Sequence, residues 1–224
     1  MGWREWGARM ARVYKRYDER FTEILDVSEN LFNSKGYEKT TINDILDGVQ
    51  IGKGTFYHYF KSKEEVMDAV ITRMAGYAKA ASQAIADMPN LTAQEKFIKV
   101  FTNQAIQYDG MVEQLHHNDN SALHLKSLTE TILAITPALT QIIDQGIEEG
   151  VYQTPYPRES FEILYTGAQF LLDQGLFKWS LEELIQKLKA FVHIIETVLG
   201  TEQGHFNFMY QIYGIPYAIE PSQQ

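Results

Sequence analysis

Apolar residues along the chain recur mostly three and four positions apart, the spacing that lines one face of an α-helix. Between residues 21 and 32, Phe21, Ile24, Leu25, Leu31 and Phe32 keep this period, and Gly36 closes the run. Several later segments open with an oxygen-bearing residue followed three positions on by a carboxylate, the signature of a capping box. Ser62 with Glu65, Thr92 with Glu95 and Ser180 with Glu183 fit, and Thr41 with Asp44 is a shorter-armed version. Thr136-Pro137 places a proline at an expected first helical position, and Gly150 and Gly200 mark expected C-termini. Strand-like alternation is scarce and no longer period repeats. The pattern predicts an all-α chain of roughly nine or ten helices.

Residues 41 to 63, TINDILDGVQIGKGTFYHYFKSK, break this regularity in an informative way. A short helix puts Ile42, Ile45, Leu46 and Val49 on one face. Gln50-Ile51-Gly52-Lys53 interrupts it, a second short helix runs from Gly54 to Phe60, and Ser62 opens a longer one carrying Val66, Met67 and Val70. Helices this short cannot persist alone, so they need their neighbours to form a compact module. Helix, tight turn, short helix is the helix-turn-helix arrangement, whose second helix enters the major groove of DNA.

The residue types suit that task. Gly54 lets backbone approach phosphate or base edges. Thr55 offers a hydroxyl and a methyl to a base edge. Tyr57, His58 and Tyr59 carry polar tips that can donate to phosphate oxygens. Phe56 and Phe60, four apart, are expected to anchor the helix inward. Lys53 and Lys63 bracket the unit. Short amphipathic helices with aromatics also serve ordinary packing, so residue types alone leave both readings open.

Charge changes the picture only when divided. The 224 residues carry a formal net charge of −9, which argues against a polyanionic partner. Residues 1 to 63, however, hold 11 Lys/Arg against 9 Asp/Glu, and residues 64 to 224 hold 9 against 20. A mildly basic segment is thus joined to an acidic body. The absence of cysteine excludes a disulfide framework, a thiolate metal site and a cysteine nucleophile. No apolar run approaches the ~18 residues that a membrane span requires. The N-terminus lacks the apolar core of a secretory signal, so a cytoplasmic location without a membrane partner is expected.

Phe32, Gly36-Tyr37, Thr40-Thr41-Ile42, Ile45 and the run Lys53-Gly54-Thr55-Phe56-Tyr57-His58-Tyr59-Phe60-Lys61-Ser62-Lys63-Glu64 resemble, in order and spacing, the TetR family of ligand-responsive transcriptional repressors. The resemblance covers roughly 50 residues. It implies a three-helix DNA-binding domain over residues 1–66, with a basic N-terminal arm over 1–17, and a helical ligand-binding and dimerisation domain over 67–224. It implies DNA contacts at Thr41, Lys53, Gly54, Thr55, Tyr57, His58, Tyr59 and Lys63. Gln50 stands where the family commonly has glycine, and Gly52 where it has serine. A left-handed Gln costs on the order of 1 kcal/mol, and Gly is only slightly worse than Ser as an N-cap.

Ahead of the matching region, Trp3, Trp6, Met10, Val13, Tyr14, Tyr17 and Phe21 recur at helical spacing among Arg4, Arg9, Arg12, Lys15 and Arg16. An arm reaching along DNA, an extension of the first helix packed by its aromatic stripe, and an upstream start with Met10 as the native beginning all fit. In the acidic body, Met74, Tyr77, Phe101, Tyr108, Met111, His117 and His124 are candidates to line a pocket for a small-molecule effector. His116, His117 and His124 with Asp119 raise a metal site, but adjacent histidines face different ways and Asn118-Asp119-Asn120 reads as a turn. No metal and no cofactor are assigned. Phe161, Leu164, Ala168, Leu171 and Leu172, with Leu188, Phe191 and Ile195, make two stripes expected to pair across a two-fold axis. The aromatic tail after Gly204 is expected to pack over the body or a partner subunit.

The expected protein is a homodimeric regulator of double-stranded DNA, most simply a repressor, reading a palindromic operator and released by an unidentified effector. The long helix after Ser62 is its natural lever. No catalytic residue is assigned. The rival classes are a helical histidine-based or metal enzyme and an interaction module that keeps the motif. The first lacks a nucleophile elbow, a phosphate loop and an HExxH pair.

Overall fold

Short amphipathic segments that cannot hold a helix alone must borrow burial from longer neighbours, and the first part of the chain is built on that exchange. The computed structural model describes the backbone of residues 3–103 and 121–215, and side chains from 17–103 and 122–215. Its helices are α1 (Trp3–Lys35), α2 (Ile42–Val49), α3 (Lys53–Tyr59), α4 (Lys63–Ala86), α5 (93–103), α6 (Ser121–Glu148), α7 (Pro157–Leu171), α8 (Leu181–Leu199) and α9 (Phe208–Ile212). No strand occurs among the described residues. They form two compact units, 3–74 with 121–124, and 75–103 with 125–215.

The first unit closes on Ile24 and Phe32 of α1, Ile45 of α2, Phe56 of α3, and Val66, Met67 and Val70 of α4. Its core therefore draws in α4 beyond residue 66. Gly48 lets α2 lie against α1, because a Cβ there would stand 2.5 Å from a methyl of Val27. Across the same unit, the Arg73 guanidinium joins α4 to α1, bonding Asp26 at 2.6 Å and Glu29. The N-terminal aromatic segment is continuous with α1 in its backbone; the side chains of Trp3 to Arg16 lie outside the described residues.

The second unit packs Phe97 of α5, Ile135, Leu139, Ile142 and Ile143 of α6, Phe161 and Tyr165 of α7, and Leu188 and Ile195 of α8 around one core. Two buried charges are answered inside it. The Lys96 ammonium donates to the Ala86 carbonyl at 2.6 Å and to Gln145 at 2.7 Å, closing the end of α4. The Glu196 carboxylate accepts the Gly204 and Phe206 amides at 2.8 and 3.2 Å. That grip holds the tail, where Phe206, Met209 and Tyr210 are buried. Tyr217 lies outside the described residues.

The caps follow the sequence closely. Thr41 and Ser180 form full boxes with Asp44 and Glu183, and Thr92 forms one with Glu95. Ser62 is a variant: it accepts the Glu65 amide at 3.2 Å, while the Glu65 carboxylate takes the amide of Lys61. Gly36, Gly150 and Gly200 follow α1, α6 and α8 with positive φ. Pro137 corrects an expectation, since it sits inside α6 and starts nothing. Burial of Ile135, Ala138, Leu139 and Ile142 holds the helix through it, against the ~3 kcal/mol an internal proline costs. The interruption faces solvent, because both Pro137 and Leu133, whose carbonyl loses its donor, are exposed. The Thr136 hydroxyl bonds the neighbouring Ile132 carbonyl at 2.7 Å.

Candidate functional site

The turn between α2 and α3 has the geometry that the helix-turn-helix pattern demands. Gln50 ends α2 in the left-handed region (φ 58°, ψ 48°), the one non-glycine with positive φ among the described residues. Gly52 then enters α3 in extended conformation, with no side-chain cap. Phe56 and Phe60 point inward and are buried, Phe56 completely, as their spacing predicts. Lys53, Gly54, Thr55, Tyr57 and His58 consequently share the solvent side, with Tyr57 52% exposed. These five residues thus present one continuous polar and aromatic face on a helix held from behind.

Three other sequence-predicted contacts are engaged within the chain. Thr41 is exposed, but its amide and hydroxyl donate to the Asp44 carboxylate at 2.7 and 2.8 Å. The Lys63 ammonium donates to the Tyr37 carbonyl at 2.8 Å and lies 4.2 Å from the centre of that ring. Tyr59 is half-buried and packs against Tyr17 of α1 with ring centres 4.6 Å apart. Burial pushes its phenol above the ordinary value, and the Tyr17 phenol adds to the rise. Tyr17 also meets His58 edge-on at 5.9 Å, so α1 buttresses the end of α3 through aromatic contacts.

Asp44 organises the entry to α2. The Lys35 ammonium at 2.6 Å, then the Thr41 amide and hydroxyl, hold its carboxyl down at about 2. A carboxyl depressed in the folded state adds stability that is complete above its ordinary pKa and is lost as pH falls through the folded value. Thermal melts should accordingly drop between about pH 4 and pH 2 more steeply for the native chain than for Asp44→Asn. Equal slopes for the two proteins would exclude Asp44 as the titrating group.

The second unit contains an apolar cleft of about 310 Å³ counting its open mouth. Its enclosed part is barely large enough for a single water. Phe97, Phe101 and Ile143 line one side, and Met209 of α9 forms another wall. From α7 and α8 come Phe161, Leu164, Tyr165, Phe191, Ile195 and Leu199. Two stacked pairs, Phe97–Phe101 at 5.0 Å and Phe161–Tyr165 at 5.1 Å, meet where Phe101 and Tyr165 touch edge-on. None of these side chains is charged.

Phe101 is the predicted pocket residue that lines this cleft. Met74 packs against the core of the first unit, Tyr77 is 58% exposed, and His124 is buried within the first unit. None of these three lines the cleft, and each placement follows from which side of its helix the core occupies. Tyr108, Met111 and His117, with His116 and Asp119, lie outside the described residues. Among the described residues no cluster of three His, Asp or Glu is placed to hold a metal ion. Sequence reasoning missed Phe97, Ile143, Tyr165, Leu199 and Met209, whose spacing looks like that of any helical core.

The residues expected at a dimer interface are mostly engaged within the chain itself. Phe161, Ala168, Leu172, Leu188 and Ile195 are buried within the chain, and Leu188 has no exposure left for a partner to cover. Four of the eight, Phe161, Leu164, Phe191 and Ile195, line the cleft. Leu171 alone of the set is exposed. A different apolar stripe faces solvent on the same two helices. On α7 it comprises Ile163 (73% exposed), Gly167, Phe170 and Leu171; on α8, Ala190, Ile194 and Val198.

A buried-backed recognition helix behind a tight turn, in an otherwise helical chain, defines a helix-turn-helix regulator of transcription. The family described as bacterial regulatory proteins, tetR family, matches residues 24–70, and the tetracyclin repressor-like C-terminal domain matches residues 104–194. The chain belongs to the TetR family of DNA-binding transcriptional regulators. It is similar to the HTH-type transcriptional repressor KstR2 of Mycobacterium tuberculosis, 26% identical over 151 residues, 64% of this chain and 74% of that protein. An uncharacterized HTH-type transcriptional regulator in the lacX 3' region of Lactococcus lactis is 55% identical over 49 residues, 22% of this chain and 25% of that one. The fold matches the crystal structure of a TetR-family transcriptional regulator from Pectobacterium atrosepticum, with TM-score 0.64 and 18% identity over 84% of this chain and 98% of that one. No helix among the described residues is long and apolar enough to cross a membrane.

Proposed function

We propose that the chain is a homodimeric, effector-responsive repressor that places α3 in the major groove of a palindromic operator. The observation that carries this reading is the face of α3: Lys53, Gly54, Thr55, Tyr57 and His58 outward, Phe56 and Phe60 buried behind them. Thr55 and Gly54 read base edges; Tyr57, His58 and Lys53 hold phosphates. Thr41 and Lys63 join them by exchanging their internal partners for phosphate oxygens. Residues up to about 66 serve the DNA module, with the basic segment 1–17 at its start, and the remainder serves ligand binding and dimerisation.

Dimerisation uses the exposed stripe of α7 and α8. An apolar surface of this kind is a liability unless covered, and Gly167 and Ala190 within it permit close backbone approach. Two recognition helices then read half-sites roughly 34–36 Å apart. An effector in the cleft favours one of two states of the protein and lowers operator affinity by its differential binding. The helix α4 is the element to transmit it, being one helix whose residues enter both cores. Selection of bound sequences from a random DNA pool tests the proposal: a palindrome with matching half-sites is expected, and an unenriched pool would overturn it.

A further inference from the structure

At the turn ahead of α3, the residues chosen are not those the backbone favours. The amides of Gln50 and Ile51 both turn back to the Leu46 carbonyl, the second at 3.0 Å, and Ile51 packs against the core of the first unit. That closure holds Gln50 in the left-handed region (φ 58°), where a side chain is strained and glycine is not. Glycine stands instead at Gly52 and Gly54, where the backbone does not require it. Neither has positive φ, and a Cβ on either meets nothing within 4 Å. A serine in place of Gly52 would also cap α3, which has no side-chain cap. Packing inside the chain accounts for none of the three choices. Gln50 is exposed, and its carboxamide has no hydrogen-bond partner among the described residues.

A partner outside the chain accounts for all three. Gly54 stands in the middle of the outward face of α3, among Lys53, Thr55, Tyr57 and His58, and Gly52 opens that helix. Missing side chains there let DNA come close to the backbone, and Gln50, two residues ahead of Gly52, is then beside the duplex. We propose that the Gln50 carboxamide donates an N–H to a phosphate oxygen at the edge of the groove that α3 enters, fixing the register of the recognition helix. This rests on the placement of α3 in the major groove given above and adds a contact to that interface. The amide is uncharged, so the contact adds affinity without releasing a counterion. Phosphates carry no sequence information, so it strengthens binding to all sequences alike. A strained side chain in the turn persists because function uses it.

The probe is the sequence that the native chain selects from random DNA. Gln50→Gly relieves the backbone and removes the carboxamide, so its two readouts should move in opposite directions. The thermal midpoint is expected to rise, while affinity for the selected DNA falls about tenfold, the effect of one hydrogen bond to a charged group. The dependence of that affinity on salt should keep its slope. Gln50→Glu keeps the length and the strain of the side chain but offers only acceptors to a phosphate, and is expected to bind more weakly than Gln50→Gly. Gln50→Lys keeps a donor and should bind at least as tightly as the native chain, with the salt slope steeper by about one. An affinity in Gln50→Gly equal to or above the native one overturns the proposal. So does a loss confined to DNA carrying one particular base pair, which makes the carboxamide a reader of bases. A midpoint that falls together with the affinity also overturns it, since the turn then needs glutamine in order to fold. A native chain that selects no sequence refutes the DNA reading itself, and this contact with it.

Discussion

Phe56→Ala is expected to remove DNA binding by releasing the recognition helix. Phe56 is fully buried, 6.0 Å from Phe60, and belongs to the core shared by α1, α2 and α4. Truncating a buried phenylalanine costs about 3–5 kcal/mol through lost transfer energy and the cavity left behind. A helix of seven residues has no stability of its own, so this loss falls on its docking. Affinity for a selected operator should fall roughly a hundredfold or more, since every 1.4 kcal/mol lost from docking is tenfold. The thermal midpoint of the first unit should fall with it. Tyr57→Phe and His58→Ala, at exposed positions, are expected to weaken binding while leaving the midpoint in place. Lys53→Ala is expected to reduce the salt dependence of binding by a slope of about one. An operator affinity unchanged in Phe56→Ala would remove α3 from the interface.

That contrast between anchor and reader was legible in the sequence because both are local properties. Phe56 and Phe60 sit four apart, Thr41 and Asp44 three apart, and Gln50 with Gly52 fills a turn that only certain backbone angles can make. Each can be judged within a few residues, without knowing what lies across the core. The second unit offers no such shortcut. Helices α7 and α8 are apolar on two sides, and the 3.6-residue period does not say which side the subunit keeps for itself. Leu188 and Ile195 were expected at a partner surface and are instead core, while Ile163 and Ile194 are outward. The same ambiguity hid the cleft, since Phe161 and Phe191 satisfy an interface stripe and a cavity wall equally well. Pro137 is the opposite case: a firm local rule gives way because four apolar residues around it are buried. Local signals lose where tertiary burial outweighs them.

The buried carboxylate of Glu196 has no counterpart among these signals, and its removal should have the second large effect. It is an apolar-face position on α8, yet it accepts two amides from the loop that turns the chain back toward the cleft. Glu196→Ala leaves the part-buried Gly204 amide and the buried Phe206 amide without their acceptor. Hydrogen bonds to a charged group contribute about 1.5–3 kcal/mol, so the variant should lose roughly 2–4 kcal/mol in urea unfolding. Glu196→Gln keeps one acceptor oxygen in place and should lose less than half of that. The loss is directional: the loop carries Phe206, which packs edge-on to Phe97 at 5.2 Å, and leads into Met209, a wall of the cleft. Amide exchange in Met209 and Tyr210 should therefore accelerate ahead of exchange in Leu139 and Ile142 of α6. Operator binding by the unliganded protein should be retained in Glu196→Ala. If the Ala variant unfolds at the native urea midpoint, the loop is held by its aromatic packing alone, and Phe97 is the side chain to truncate next.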